Sequence, residues 1–267
     1  MHENTKRKTQ HSDSPAPTLG HVPPFTHWKK VLKRYRFFRA LCDRTLRDGH
    51  RGRESTGKVP WLVSILIVWR RLKKFPFTEI GVFKGDNAVA TVTAAQKMGA
   101  EVSYLGFDLF ENNKDFYKSH LDDFNRYNSH ADAYWKFDSG EHTLDRVRAK
   151  LLDKLSPEHF CLVPGDSTLT VPEHSGQVFR SELIYIDGCH EYEIVKKDWE
   201  NVKSVFDANP RAIVVFDDAH VPGVARLKEE ILASDQFLLF YSNMNQFFVV
   251  SRQTRQRDRW LFGFIEY

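Results

Sequence analysis

Residues Leu183–Tyr192 read LIYIDGCHEY, and this stretch decides the fold. Four consecutive apolar residues make a run too short for a helix, and it stops at Asp187-Gly188. A helical pattern then runs over 192–207. The same alternation repeats outward in both directions. Strand signals lie at 77–82, 102–109, 160–164, 183–187 and 212–217, with helical stretches such as 86–98 and 142–155 between them. Strands alternating with helices predict right-handed crossovers and a largely parallel sheet covered on both faces. Two further strand signals, 237–241 and 247–251, are separated only by SNMNQ, a hairpin-length connection. The expected fold is α/β: a mostly parallel, seven-stranded sheet with a terminal antiparallel strand and helices on both faces.

The chain has 267 residues, enough for one substantial core plus an extension. Hydrophobic residues at 41% and charged residues at 28% exclude global disorder. Cys42, Cys161 and Cys189 are few, odd in number and far apart, so neither a disulfide framework nor a CxxC metal site is present. That usage favours a reducing compartment. The longest apolar run, WLVSILIVW from Trp61 to Trp69, is far short of the roughly 20 residues a spanning helix needs. Residues 1–24 contain no apolar stretch of the signal-peptide kind. A soluble, cytoplasmic protein is the expectation.

The net charge of +4 conceals an asymmetry. Residues 1–74 carry 18 Lys and Arg against 5 Asp and Glu, whereas the remainder carries 21 against 30. Residues 1–24 read as a disordered tail, and 25–74 as a basic helical extension before a domain spanning 75–267. Within the extension, Trp28, Val31, Leu32, Tyr35, Phe38 and Leu41 recur at helical spacing with lysines and arginines between them. Such a helix suits peripheral contact with a membrane surface, contact with an anionic substrate, or packing on the acidic body. A second helix is expected at 61–73. Homo-oligomerisation is compatible with all of this.

In open α/β sheets, ligands bind beyond the carboxyl ends of the strands. The first strand runs into EIGVFKG, where Gly81 and Gly85 let the backbone approach a ligand. The second ends in GFDLFE, placing Asp108 where ribose hydroxyls would be held. The third leads into VPGDS, with Asp166 and Ser167. A solvated carboxylate or a helix cap would explain each alone, but three in succession point to a nucleoside-containing cofactor. The fourth and fifth strands end in IDGCHEY and FDDAH. If these strands are neighbours, about 5 Å apart, Asp187, Asp217 and Asp218 converge, and Mg²⁺ is the expected counter-charge. His190 is placed to act as a general base; the alternative is that Asp217 or Asp218 caps the following helix while His190 is a surface residue. Residues 111–140, rich in aromatics, read either as a lid or binding element for an apolar acceptor face or as an extra core helix pair.

Together EIGVFKG, GFDLFE, LVPGDST, LIYIDGCHEY and IVVFDDAHVPGV resemble class I S-adenosylmethionine-dependent methyltransferases. The likeness is greatest to the metal-dependent sugar O-methyltransferases of the macrocin and mycinamicin type. The resemblance covers about 75–251 and implies a Rossmann-like fold. It implies that Glu79, Gly81 and Gly85 hold the methionine part of S-adenosyl-L-methionine. Asp108 would hold the ribose with Phe110 among the cofactor contacts, and Asp166 and Ser167 would lie on the adenine side. It further implies Mg²⁺ on Asp187, Asp217 and Asp218, with His190 deprotonating a hydroxyl of a sugar or glycoside. Two departures stand out: Cys189 occupies the place of an aspartate found in some relatives, and Asp217-Asp218 replaces the Asp-Asn pair of catechol-type enzymes. No NPPY-type signature follows the fourth strand, which argues against nucleic acid as substrate. A catechol-like diol methyltransferase and a non-catalytic, cofactor-binding or membrane-associated protein are the competing readings.

Overall fold

The computed structural model describes residues 58–110, 142–242 and 245–254. The expected tail, basic helix and aromatic 111–140 segment lie outside these residues. The chain opens with helix α1 (Lys58–Arg70) and strand β1 (Lys74–Ile80), followed by α2 (Asp86–Lys97) and β2 (Glu101–Asp108). After α3 (Leu144–Leu152) come β3 (Phe160–Pro164) and the short helices α4 (Ser167–Glu173) and α5 (Ser175–Val178). Then follow β4 (Leu183–Ile186), α6 (Tyr192–Val202), α7 (Val205–Ala208) and β5 (Ile213–Phe216). Helix α8 (Pro222–Ala233) leads to β6 (Phe237–Ser242) and β7 (Phe247–Ser251).

The seven strands form one sheet in the order β3-β2-β1-β4-β5-β7-β6. Strands β1 to β5 pair in parallel, and β7 runs antiparallel to both β5 and β6. The expected single antiparallel strand is therefore β7, slotted one place in from the edge. Strand order reverses between β1 and β4, which opens a crevice at their carboxyl ends.

Side chains alternate across the sheet with the two-residue period of a strand. Phe75, Phe77, Leu183, Tyr185, Ile213 and Val215 face one core with α1, α2 and α3. Ile80, Ile184, Ile186, Val214 and Phe216 face the other, with Trp199 of α6 and Leu227 of α8. Every residue of β4, β5 and β7 is buried, as strands covered on both faces require.

Two elements differ from expectation. Strand β1 begins before Pro76 rather than after it. The proline is tolerated because Lys74–Pro76 pair only with β2, and β4 joins from Phe77. Helix α1 lies a few residues early: Arg71 adopts φ 55° and Leu72 N donates back to Ile67 O, closing the helix. Leu62, Val63 and Leu66 of α1 are buried in the same core as β1, and Arg70 pairs with Glu182 at 2.9 Å. None of the helices among the described residues is long and apolar enough to cross a membrane.

Candidate active site

The carboxyl ends of β1, β2, β4 and β5 supply the site. Glu79, near the end of β1, is buried; Asn87 Nδ2 donates to its Oε1 at 2.7 Å and Tyr104 Oη to its Oε2 at 2.6 Å. Burial pushes the Glu79 carboxyl up to about 8, although both hydrogen bonds pull it down. Glycine at 106 leaves room for the Tyr104 hydroxyl, since a Cβ there would lie 2.6 Å from it. Beyond β1, Gly81 (φ 86°) packs on Asp187, and Gly85 (φ 75°) caps the start of α2.

Asp108, at the end of β2, accepts three hydrogen bonds. Phe83 N donates to Oδ2 at 2.8 Å, Phe110 N to Oδ1 at 2.7 Å, and His142 Nε2 lies 2.8 Å from Oδ1. Phe83 and Phe110 both take left-handed backbone conformations, φ 50° and 49°, and in these their amides reach the carboxylate. A carboxylate offers about four acceptor positions, so the donor set leaves Asp108 able to accept a hydroxyl as well. The Phe110 side chain is buried and the Phe83 ring stands edge-on to His142.

On the β3 loop, Asp166 caps α4, accepting from Thr168 N at 2.8 Å and Thr168 Oγ1 at 2.7 Å. Ser167 Oγ donates to Asp198 Oδ1 at 2.7 Å.

The β4 and β5 ends bring Asp187, His190 and Asp218 together, with one ligand-type atom from each within 4.8 Å of the others. His190 Nε2 lies 3.3 Å from Asp218 and 3.9 Å from Asp187. Burial pushes the Asp187 carboxyl up to about 6, opposed by His190. Burial alone would lower the His190 pKa, but Asp187, Asp218 and Asp217 outweigh it and raise it. Asp217 points elsewhere, accepting a hydrogen bond from the Tyr185 hydroxyl. The divergence of two adjacent aspartates has a backbone cause: Asp218 sits at φ 47°. Cys189 is inert at neutral pH, because burial pushes its thiol up to about 12.

A divalent cation suits this cluster. Among the described residues, His190 Nε2 is a buried nitrogen with no hydrogen-bond partner, and it lies 3.3 Å from Asp218 and 3.9 Å from Asp187. Asp187, Asp218 and His190 would hold or face the ion, which would offset the repulsion between the two carboxylates and polarise a bound oxygen.

The strand ends therefore gather Glu79, Gly81, Asp108, Asp187, His190 and Asp218 around one crevice. Asp166 and Ser167 lie at the start of α4, Phe110 is buried just after β2, and Asp217 accepts from Tyr185. Sequence reasoning missed Tyr104, Asn87, His142, Tyr185 and Asp198. Tyr104 and Tyr185 read as ordinary strand aromatics, and nothing local to His142 or Asp198 marks them.

A family model described as a methyltransferase domain matches residues 78–219, just over half of the chain. The chain belongs to this methyltransferase family. The matched region of this methyltransferase runs from β1 to the turn after β5 and so contains every strand end described above. No curated protein matches the chain. Among solved structures, the chain is similar to the methyltransferase PaMTH1 of Podospora anserina bound to S-adenosylhomocysteine. Identity there is 12%, covering 88% of this chain and 100% of that one, with a TM-score of 0.47. CalS11, a TDP-rhamnose 3'-O-methyltransferase of calicheamicin biosynthesis, is 17% identical over 72% of this chain and 79% of its own, with a TM-score of 0.45. MycE of the mycinamycin pathway, in complex with Mg, S-adenosylhomocysteine and mycinamycin VI, is 12% identical with a TM-score of 0.43. That match covers 73% of this chain but half of MycE.

Proposed function

We propose that this methyltransferase uses S-adenosyl-L-methionine to methylate a hydroxyl of a sugar or glycosylated small molecule, assisted by a divalent cation such as Mg²⁺. One observation carries the reading: Asp187, His190 and Asp218 converge at the β4 and β5 ends, across the switch point from Gly81 and Asp108. A nucleoside-binding carboxylate beside a cation-suited triad fits hydroxyl methylation better than transfer to a nitrogen of a base.

The cofactor would supply an activated methyl group, and the cation would lower the pKa of the acceptor hydroxyl. Asp108 binds the ribose, and the Gly81–Gly85 turn lets backbone approach the methionine part. Asp187 and Asp218 would hold the cation. His190 Nε2, which has no hydrogen-bond partner among the described residues, takes the hydroxyl proton. Glu79 orients the first turn through Asn87 and Tyr104.

The test pairs binding with turnover. S-adenosylhomocysteine should raise the melting temperature of the full chain, and Mg²⁺ or Mn²⁺ should add to that shift until EDTA removes it. Methyl transfer to a panel of sugar nucleotides, glycosides and catechols should favour the glycosyl acceptors. A catechol-only profile would select the diol reading. Binding without transfer to any hydroxyl, metal present, would leave a cofactor-binding protein.

A further inference from the structure

We propose that Asp198 is a positioning residue that joins the two loops flanking the crevice and fixes Ser167 for cofactor binding. The proposal rests on the methyltransferase reading above. Asp198 lies mid-way along α6 with no exposed surface. Ser167 Oγ donates to its Oδ1 at 2.7 Å, and Asn201 Nδ2, one turn further along α6, donates to Thr168 O at 3.2 Å. One face of α6 thus grips the first two residues of α4, directly after the Asp166 cap.

The second carboxyl oxygen faces the other loop. Oδ2 is buried with no hydrogen-bond partner among the described residues and lies 3.9 Å from where a side chain at Gly188 would begin. Gly188 follows Asp187 on the turn from β4, so Asp198 binds the β3 turn through Ser167 and approaches the β4 turn at Gly188. Buried acids are rare unless paired, and a hydrophobic residue would fill this helix position at lower cost. The geometry instead keeps a hydrogen-bond acceptor where it can hold Ser167.

The carboxyl keeps its proton below about pH 7. Burial pushes it up to about 7, opposed by Ser167 and reinforced by Asp166. The titratable groups facing it are Asp166 on the β3 turn and Cys189 on the β4 turn. An asparagine would therefore copy its charge state near pH 6 and retain the acceptor for Ser167.

The experiment is calorimetric titration of S-adenosylhomocysteine into the full chain at pH 6, for wild type, Asp198→Asn, Asp198→Ala, Ser167→Ala and the Ser167→Ala/Asp198→Ala double variant. Asp198→Asn should stay within about twofold of wild type. Asp198→Ala and Ser167→Ala should each weaken binding roughly tenfold, the size expected for one net hydrogen bond. The double variant should be no weaker than the weaker single one, because both break the same link. Near-wild-type affinity in a folded Asp198→Ala protein would overturn the proposal, as would additive losses in the double variant. If Asp198→Ala does not fold, equal tenfold losses in Asp198→Asn and Ser167→Ala would overturn it too, since the asparagine should rescue. Failure of wild type to bind at all would instead sink the methyltransferase reading on which it rests.

Discussion

Gly81 lies so close to Asp187 that a Cβ on it would stand 2.1 Å from the Asp187 carbonyl oxygen and 2.6 Å from Gly188 N. This contact joins the turn after β1 to the turn after β4, at the point where strand order reverses. Gly81→Ala must shift backbone, and it also places a side chain at φ 86°. A loss of about 2–4 kcal/mol in urea denaturation is expected, with S-adenosylhomocysteine binding lost as well. Gly99 provides the comparison, having a similar φ of 79° but nothing within 4 Å of its added Cβ. Gly99→Ala should cost only the conformational part, about 1 kcal/mol, and leave binding intact. Equal costs at the two positions would show that the Asp187 contact is of no consequence.

Asp108 is held by three donors, and its remaining acceptor capacity is assigned to ribose. Asp108→Ala should weaken S-adenosylhomocysteine binding by about 1.5–3 kcal/mol, the range for a hydrogen bond to a charged group. The same change frees the Phe83 and Phe110 amides, so some relaxation of both strained residues accompanies it. Unchanged affinity by calorimetry would move the ribose away from this strand end.

The buried carboxyls make stability fall as pH rises. Glu79 is raised to about 8 and Asp198 to about 7, each from an ordinary value near 4. Between those limits the unfolded chain is ionised while the folded one keeps the proton, so folding binds protons. Each group's contribution is complete below pH 4 and is lost by pH 8 for Glu79 and by pH 7 for Asp198. The slope is on the order of 1 kcal/mol per pH unit per group. Glu79→Gln should flatten the profile between pH 5 and 8 while keeping the acceptor for Asn87. Urea midpoints across that range check it; parallel profiles for the two proteins would mean Glu79 ionises without penalty.

The succession of strands along the chain and the placement of polar residues at their ends were legible in the sequence because both follow from local pattern, whereas their order across the sheet was not. LIYI and IVVF can only be buried strands, and the aspartates after them fall at the sheet edge by connectivity alone. What could not be read was side-chain direction. Asp217 and Asp218 are adjacent, yet the left-handed backbone at Asp218 sends one toward His190 and leaves the other on Tyr185. Nor could the sequence show that His142, 34 residues from Asp108, returns to its carboxylate, or that Asp198 lies beneath the Gly188 turn. Such contacts depend on how helices settle on the sheet, which no local spacing records.

That divergence of neighbours yields the decisive test of the cation site. Asp187 and Asp218 face His190, so Asp187→Asn and Asp218→Asn should each abolish the Mg²⁺- or Mn²⁺-dependent rise in melting temperature. Each also removes a carboxylate from a crowded cluster, so the metal-free protein should melt at the same temperature or slightly higher. Asp217→Asn retains an acceptor for Tyr185 and lies outside the triad, so its cation response should persist. His190→Ala separates two roles for the imidazole. As a base, it should keep the cation shift while methyl transfer falls by about 10²–10⁴-fold. Loss of the shift along with activity would make the imidazole a metal ligand, and an Asp217→Asn protein that no longer responds to cations would return the centre to all three aspartates.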